Sequence, residues 1–431
     1  MARKMKDSGI EWIGEIPEGW EVHRIKNHFL IISGSGFKPE LQGQSTGDFP
    51  VCKASDISSS GHYLHTSANY ITTNFVKSQR FSIIPKGSIL FAKIGEAMRK
   101  NNRSLCLCDC CVDNNCQGLV PKKISSEFSY YLFTCIDMTW FDNAGTIPCI
   151  NNQKLYDCRF PFPSHDEQLL IANALNLQCT KINEILSHIR SSIEEYKKLK
   201  QAVITQAVTK GVRGKREMKD SGNPWFGQIP TDWKLSRVGL HFSIILGKML
   251  CNAPLNDTYT LEPYYCAADV HFDGVADGER KKMWFSPIEK DLYRVSVGDL
   301  LVVEGGAGAG GSAIVENQDS YTYIQNSIMI VRSKGNTDNR YLRYLLEFLV
   351  KQGYIDIVCN KATIPHFTKD KLSCVPFCLC PTGEQKEIAD YLDAKCAEID
   401  RLIAKKEQLV KELEGYKKSL IYEVVTGKRE V

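Results

Sequence analysis

Three short clusters in the sequence have the residue types and spacings of chemical sites. The first is the run GAGAGG at residues 306–311, which fits the G-x-G-x-x-G pattern of dinucleotide-binding loops and follows an apolar strand. A dinucleotide site requires a helix next, because the helix N-terminus contacts the phosphates. Residues 312–315, SAIV, instead have a strand pattern. We therefore interpret the run as a flexible or closely approaching loop.

The second cluster is cysteine-rich: Cys106, Cys108, Cys110, Cys111 and Cys116. Zinc ribbons use two C-x₂₋₄-C units separated by a spacer, whereas these cysteines alternate as residues of a strand do. The alternation predicts a strand with Cys106, Cys108 and Cys110 on one face, and no metal site.

The third cluster is Glu279-Arg280-Lys281, which has the E-x-K spacing of some metal-dependent nucleases, with Asp269 and Asp273 upstream. Such acids need a strand-borne geometry, and the surrounding GVADGERKK reads as a polar loop. The sequence has no G-x-x-x-x-G-K-[ST], G-x-S-x-G or H-E-x-x-H motif. We therefore expect no catalytic centre and no cofactor in this chain.

Composition sets broad limits on the class of protein. The chain has 431 residues, of which 43% are hydrophobic and 24% charged, a globular balance that allows two to four domains. The net charge of +4 is too small to indicate nucleic-acid binding by itself. We find no apolar run near 18 residues and no apolar signal core after MARKMKDSGIEW. We expect a cytoplasmic protein, with no membrane contact and its 17 cysteines mostly reduced.

The elements that would position any site are duplicated. Residues 5–25 and 218–238 are identical at 11 of 21 positions, including both tryptophans of each copy. A second block repeats 217 residues apart, matching Glu167, Gln168, Ile171, Ala172, Leu175, Cys179 and Ile182 with Glu384, Gln385, Ile388, Ala389, Leu392, Cys396 and Ile399. The chain is therefore two tandem units, each a globule followed by a helix.

Each repeat ends in a long amphipathic pattern, over residues 163–213 and 381–431. Ser164 or Thr382 is expected to cap the helix, with Glu167 completing a capping box. Apolar residues recur at heptad spacing: Leu175, Ile182, Ile189, Tyr196 and Val203 in the first helix, and Leu392, Ile399, Leu413 and Leu420 in the second. Each stripe of about 60 Å must be buried. We predict an antiparallel coiled coil with pseudo-twofold symmetry, Leu175 lying near Leu420; the alternative is that each helix packs on its own globule.

The globules, residues 1–162 and 214–380, read as β-rich. Each has a Gly turn before an apolar strand, a second strand, a short helix and a closing phrase that contains Thr-Ile-Pro, at 146–148 and 363–365. The order of elements is shared, while the loop sequences differ. We predict an α+β fold in which two such globules superpose.

The twofold pattern resembles the specificity subunit of type I restriction–modification systems over essentially the full length. The resemblance is carried by the MKDSG-x-x-W-x-G-x-I-P-x-x-W opener, by GSILFAKIG, by the TIP…FPFPSHDEQ and TIP…CPTGEQ hinges, and by the YKKLKQAVITQAVTKG and YKKSLIYEVVTGK helix ends. It implies that each globule is a target recognition domain reading one half of a split site in double-stranded DNA. The helices would act as a fixed spacer.

The resemblance also implies partners. Two modification (methyltransferase) subunits carrying S-adenosylmethionine would dock on the helices, and restriction subunits using ATP and Mg would join them. Methyl transfer and cleavage would then belong to those subunits. Two other function classes remain as alternatives: a coiled-coil scaffold whose globules bind protein, and a self-contained DNA nuclease or methyltransferase.

Basic and amide side chains are the expected DNA contacts, since they bond base edges and phosphates. The candidates in the first globule are Lys53, Lys93, Arg99, Lys100, Asn101, Asn102, Arg103, Asn114, Gln117, Asn151, Asn152 and Lys154. Those in the second are Lys248, Arg280, Lys281, Lys282, Gln325, Asn326, Lys361 and His366. We expect residues 100–103 to turn at the rim of the first globule.

Overall fold

A computed structural model describes residues 3–143, 145–317, 321–359 and 365–431. The described chain divides into two compact units, the first made of the residues up to Arg190 together with Gln408–Val431, and the second of Ser191–Glu407. Within the described residues, no helix is long and apolar enough to cross a membrane.

The first globule is built from twelve strands and six short helices. Its strands are β1 (Met5–Asp7), β2 (Glu15–Pro17), β3 (Glu21–Arg24), β4 (Phe29–Ser33), β5 (Phe49–Cys52), β6 (Tyr63–Leu64), β7 (Tyr70–Ile71), β8 (Ile89–Ala92), β9 (Arg103–Cys106), β10 (Cys111–Val112), β11 (Cys116–Pro121) and β12 (Arg159–Phe162). Its helices are α1 (Ile25–His28), α2 (Ala54–Ser60), α3 (Thr73–Gln79), α4 (Gly95–Arg99), α5 (Ser126–Thr134) and α6 (Asn152–Asp157). The long helix α7 (His165–Lys210) follows.

The second globule repeats this plan. Its strands are β13 (Met218–Asp220), β14 (Gln228–Pro230), β15 (Lys234–Arg237), β16 (Phe242–Leu246), β17 (Thr260–Tyr265), β18 (Val270–His271), β19 (Gly274–Val275), β20 (Lys281–Phe285), β21 (Leu300–Val303), β22 (Ser312–Ile314), β23 (Tyr323–Ile324), β24 (Ile328–Ser333) and β25 (Pro376–Leu379). Its helices are α8 (Val238–His241), α9 (Pro287–Tyr293), α10 (Asn339–Lys351), α11 (Tyr354–Val358) and α12 (Lys369–Ser373), and the long helix α13 (Thr382–Val425) follows.

The two globules have the same sheet topology. The main sheet has the order β4-β11-β8-β9 in the first, where β6 extends it, and β16-β24-β21-β22 in the second. A smaller sheet has the order β10-β5-β7 in one and β23-β17-β20 in the other, and in both the first pair is parallel and the second antiparallel. The central strands, ILFA in β8 and LLVV in β21, are buried throughout because both of their faces are covered. The predicted α+β class and the shared order of strands are confirmed.

The two long helices pair antiparallel inside each unit. In the first unit the start of α7 packs on the end of α13, so that Leu175 and Leu420 belong to one hydrophobic core. In the second unit the end of α7 packs on the start of α13, with Ile204 and Leu392 in the core. Because both ends pair in opposite sense, the antiparallel coiled coil is confirmed. All nine heptad positions are buried or half-buried.

The helix starts differ from each other in their caps. Ser164 Oγ accepts the backbone N–H of Glu167 at 3.3 Å, as a capping residue does. Thr382, by contrast, is already the first residue of α13, and its Oγ1 donates to the carbonyl of Asn336 at 2.9 Å. The expectation that Thr382 caps the helix is therefore wrong.

The duplicated opener fastens each globule to the helices of its unit. Trp20 Nε1 donates to Glu167 Oε2 at 3.0 Å, and Trp233 Nε1 donates to Glu384 Oε2 at 3.2 Å. Arg3 pairs with Glu167 and lies over the ring of Trp20. Arg216 pairs with Glu384 and lies over the ring of Trp233. This clasp explains why an arginine, the second tryptophan of the opener and a glutamate recur in register.

The cysteine-rich segment is not a single strand. β9 ends at Cys106 and β10 begins at Cys111, and Asp109 in the intervening turn accepts the backbone N–H of Lys86 at 2.8 Å. Cys106 and Cys110 are buried in a satellite core with Cys52, while Cys108 is half-buried. The expectation of one strand face carrying Cys106, Cys108 and Cys110 is therefore wrong.

Candidate nucleic-acid interface

Several strand ends of the first globule meet at one edge. The backbone N–H of Lys93, directly after β8, donates to Asn115 O at 2.8 Å, and Ile150 N–H donates to Lys93 O at 2.9 Å. The end of β5 joins the same edge, since Asp113 N–H donates to Cys52 O at 3.2 Å. These backbone bonds bring together sequence candidates from four separate segments. We call the set the first strand-end edge: Lys53, Lys93, Asn114, Gln117 and Asn152.

The second globule has an equivalent edge. Glu304 follows β21 as Lys93 follows β8; its N–H donates to Ser327 O at 2.8 Å, and Phe367 N–H donates to its carbonyl at 2.6 Å. The end of β17 joins through Gln325 N–H, which donates to Tyr265 O at 3.2 Å. We call the set the second strand-end edge: Glu304, Gln325, Asn326, Ser327 and His366.

The first edge has exposed and buried polar groups together. Gln117 lies inside the sheet, and its Nε2 donates to Asn152 Oδ1 at 3.2 Å. Among the described residues, its Oε1 has no hydrogen-bond partner. Asn114 is exposed, and Lys93 and Lys53 are half-buried. The accessible groups of the edge are the Asn114 amide and the Lys93 ammonium, since Gln117 is buried and Lys53 Nζ already donates to Gln42 Oε1 at 2.6 Å. Amide and ammonium groups bond base edges and phosphates.

The second edge has a different chemistry. Gln325 Nε2 donates to Asn326 Oδ1 at 2.9 Å, and Ser327 Oγ donates to Gln325 Oε1 at 2.6 Å, so these side chains hold one another in place. Burial raises the pKa of the Glu304 carboxyl, while the nearby His366 opposes that shift. An ionised carboxylate only accepts hydrogen bonds, whereas a lysine only donates them.

Glu304 was missed in the sequence analysis, which searched for basic and amide residues alone. The signal was available in the repeat: YRVSVGDLLVVEGG and FSIIPKGSILFAKIG place Glu304 and Lys93 each one residue after the central strand. Comparison of the strand ends of the two copies would have found it.

Other candidates of the first globule are occupied by local contacts. Asn151 Oδ1 caps α6 by accepting the N–H groups of Gln153 and Lys154, and Lys154 Nζ donates to Asp142 O at 2.8 Å. Asn102 Nδ2 donates to Ser58 Oγ at 3.0 Å. Arg99 pairs with Glu96, and Lys100 is exposed.

Arg103 does not stand at a rim. It is the first residue of β9 and is 5% exposed, and its Nη2 donates to the carbonyls of Asn101 and Ile136 at 3.2 and 3.0 Å. Asn101 has a left-handed backbone, with φ of 59°, and its Oδ1 also accepts the Met138 N–H at 3.0 Å. The chain turns here, but these two side chains point inward, because Ile136 and Met138 provide the backbone partners. The expected rim position is wrong for Asn101 and Arg103.

The second globule uses two of its candidates internally. Lys248 Nζ pairs with Glu289 at 2.6 Å and donates to Trp284 O at 2.9 Å. Arg280 pairs with Asp269 at 3.2 Å. Both cations are held in ion pairs within the globule, and their contact with DNA stays a prediction.

The remaining candidates of the second globule are placed differently. Lys281 and Lys282 are exposed on β20, and His366 is exposed at the second edge. Lys361 lies outside the described residues.

Two of the chemical clusters take ordinary structural roles. Ser312–Ile314 is a strand, so the GAGAGG run does not lead into a helix, in agreement with the sequence analysis. Asp269 is taken up by Arg280, while Glu279 and Asp273 are exposed. The described residues contain no group of three or more His, Cys, Asp or Glu side chains arranged to hold a metal ion.

Comparison with known families decides what this duplicated architecture is. The model of the type I restriction modification DNA specificity domain matches residues 17–195 and again residues 231–412. The chain belongs to that family. The two matches fall on the two repeats, so each globule with the helix after it is one DNA specificity domain, and the chain is a specificity subunit.

Named relatives agree with this assignment. The chain is 27% identical over 441 residues to the putative type I restriction enzyme MjaX specificity subunit of Methanocaldococcus jannaschii, covering 96% of this chain and 95% of the relative. It is 25% identical over 257 residues to the MjaIX specificity subunit of the same organism, covering 57% of this chain and 56% of the relative.

Solved structures share the fold. A chain solved in work on complex assembly and conformational transition of the type I R-M system has a TM-score of 0.71 and 17% identity, covering 96% of this chain and 99% of its own. The HsdS subunit from Thermoanaerobacter tengcongensis has a TM-score of 0.52 and 18% identity, covering 96% and 98%.

Proposed function

We propose that the chain reads a bipartite, asymmetric site in double-stranded DNA, with one half read by each globule at its strand-end edge. The observation that supports this is that the two globules share a sheet topology but differ in charge at one equivalent position. Lys93 follows the central strand in one globule, and Glu304 follows it in the other. A lysine bonds guanine O6 and N7, whereas a carboxylate accepts from cytosine N4. Two globules of one fold would therefore select different bases.

The long helices are proposed as the spacer between the two readings. α7 has 46 residues and α13 has 44, which at 1.5 Å per residue is about 65–70 Å for each helix. One turn of DNA is about 34 Å. A pair of continuous helices of this length is stiff enough to fix the length of an unread gap between the half-sites.

The helices also provide the surface on which we place the modification subunits. Leu170, Leu177 and Ile185 of α7 are exposed although the helix buries its other apolar stripe. Exposed apolar residues spaced seven and eight positions apart lie on one side of a helix and are suited to a further helix. In this proposal the chain itself is not catalytic and acts in the cytoplasm. Two modification subunits with S-adenosylmethionine transfer methyl groups, and restriction subunits with ATP and Mg cut the DNA.

The test is methylome sequencing of a host that carries this gene beside genes for modification and restriction subunits. We expect a split methylated motif that disappears when this gene is deleted and returns when it is restored. A motif that persists in the deletion strain, or that is contiguous, would contradict the proposal. DNA binding measured with and without the modification subunits separates a DNA reader from a protein-binding scaffold.

A further inference from the structure

We propose that a cavity in the first unit is a binding site for a phosphate group. The cavity has a volume of about 600 Å³ and lies between the first globule and the paired ends of α7 and α13. Its walls come from α2, the start of β9, α5 and both long helices. A volume of this size is typical of small-molecule sites, which measure roughly 300–1,000 Å³.

The described lining of this cavity is strongly basic. Four of its side chains are cationic: Arg103, Arg190, Lys417 and Lys418. The lining has a single acid, Glu414, which pairs with Arg190 at 2.5 Å. Lys417 Nζ donates to the neutral amide of Asn183 at 2.7 Å. The positive charge of Arg103, Lys417 and Lys418 is therefore not balanced by an acid in the cavity wall.

Arg103 is the most deeply buried of these cations. Its Nη2 is bonded to oxygens of Asn101 and Ile136, but its Nε and Nη1 are buried and have no hydrogen-bond partner among the described residues. Its burial lowers the pKa of the guanidinium to about 10. The guanidinium is therefore only partly compensated, by the acceptor oxygens at Nη2 and by the charge of nearby Asp137. Because Nε and Nη1 are closed off from the cavity, an anion there would act on Arg103 through its charge and would bond directly to Lys417 and Lys418.

The second unit provides an internal comparison. Lys200 stands 217 residues before Lys417, and its Nζ pairs with the carboxylate of Asp400 at 2.6 Å, where the first unit has the amide of Asn183. Likewise, Tyr344 donates to Asp393, whereas Tyr131 donates to Asn176, both at 2.7 Å. One cavity lined by Lys200 also has acids in its wall, namely Asp273, Glu347 and Asp400. Among the described residues, the lysine is bonded to a carboxylate in the second unit and to a neutral amide in the first.

A phosphate fits the first cavity better than a smaller or uncharged group. It carries more than one negative charge and several acceptor oxygens, which match the ammonium groups of Lys417 and Lys418. The phosphate could belong to a small ester or to the DNA backbone, and both present the same oxygens. The inference does not depend on the proposed function, because the isolated chain can be tested with inorganic phosphate alone.

The experiment measures the thermal midpoint of the purified full-length chain in rising inorganic phosphate, with sodium chloride at matched ionic strength as reference. We expect a phosphate-specific rise in the wild type, since a ligand that binds only the folded state stabilises it. Lys417→Gln should weaken the phosphate affinity about tenfold or more, the loss of one charge-assisted hydrogen bond. The matched variant Lys200→Gln, in the second unit, should keep the full response.

Equal effects of phosphate and chloride would overturn the proposal. So would a phosphate response that Lys417→Gln leaves unchanged, or that Lys200→Gln removes equally. Because Lys417 is only half-buried on a helix surface, its variant is expected to fold, and circular dichroism checks this directly.

Two further arms distinguish the source of the phosphate. If the source is a small ester, adenosine monophosphate shifts the midpoint as phosphate does, and Lys417→Gln leaves the affinity for a DNA duplex unchanged. If the source is the DNA backbone, Lys417→Gln weakens binding to cognate and scrambled duplexes alike, and inorganic phosphate competes with both. Failure of both arms rejects the site but leaves the methylome test of the proposed function intact.

Discussion

At the scale of single residues, the clasp glutamates show how position in the structure sets the value of one hydrogen bond. Glu167 and Glu384 occupy equivalent places and accept from equivalent tryptophans, yet the side chain of Glu167 is 26% exposed and that of Glu384 is 0% exposed. Water can replace a lost donor only at the exposed glutamate.

We therefore predict unequal effects of the same substitution. Trp233→Phe removes a donor from a fully buried carboxylate and should lower the free energy of unfolding by about 1–3 kcal/mol. Trp20→Phe, its matched control, loses the same ring volume but should cost less than Trp233→Phe, because water can replace the lost donor at Glu167. Urea unfolding of both variants measures the difference. Equal losses would show that burial of the glutamate does not set the strength of the clasp.

Glu304 leads to a prediction about DNA recognition. Glu304→Gln keeps the shape but adds N–H donors, so an edge that accepted from cytosine would lose about 1–3 kcal/mol of discrimination at that base. Methylome sequencing should show relaxed recognition in one half of the split motif only. The control is Lys93→Gln, which should relax the other half. If Glu304→Gln changes both halves or neither, the second edge is not a base reader.

At the scale of elements, the two long helices bury their apolar stripes against each other. The heptad stripes are buried because each helix end meets an oppositely directed partner in its own unit. In the first unit, Leu420 from α13 is packed with Leu175 and Ile182 of α7. This packing joins residues that are more than 200 positions apart in the sequence.

The helix pairing predicts a contrast between two leucines of α13. Leu420 is 1% exposed, so Leu420→Ala should lower the free energy of unfolding by about 2–5 kcal/mol, the usual cost of a cavity in a core. Leu409 is 42% exposed, and Leu409→Ala should cost about 0.5 kcal/mol or less. Thermal or urea unfolding distinguishes the two. Similar losses at both positions would contradict the observed seam.

At the scale of the whole molecule, the two compact units do not correspond to the two sequence repeats. The first unit contains the last residues of the chain, with Leu420, Ile421, Val424 and Val425 buried in its core beside the first globule. Each unit is therefore completed by a helix segment from the other repeat.

This organisation predicts the outcome of a C-terminal truncation. A chain ending at Glu407 lacks those four core residues, so amide hydrogens of the first globule should exchange faster, while those of the second globule should stay protected. Hydrogen–deuterium exchange with mass spectrometry measures both in one experiment. Loss of protection in the second globule alone would contradict the division into these units.

The shared topology predicts modular exchange of recognition. Replacing residues 16–162 by the same region of a relative should change one half of the methylated motif and leave the other half and the gap length unchanged. The opposite exchange, of residues 229–380, is the control and should change only the other half. A change in both halves after either exchange would show that the globules do not read independently.

The sequence by itself determined the duplication, the two long helices, the shared order of elements along the two globules and the family resemblance. These features depend on local periodicity and on residues that recur in register, and both are visible in a single chain. The helix stripes also required a partner, since a lone amphipathic helix of this length cannot remain unburied in water. The repeat then indicated which partner was available.

Only the tertiary structure decided which polar side chains are free. Arg103 and Lys93 look alike in the sequence, but the carbonyl of Ile136, 33 residues away, bonds Arg103 inside the globule, while Lys93 remains at an edge. Lys248 is likewise bonded inside its globule, by the carboxylate of Glu289, 41 residues along the chain. The physical reason is that the exposure and the hydrogen-bond partners of a polar group depend on long-range contacts, and local sequence patterns do not contain them.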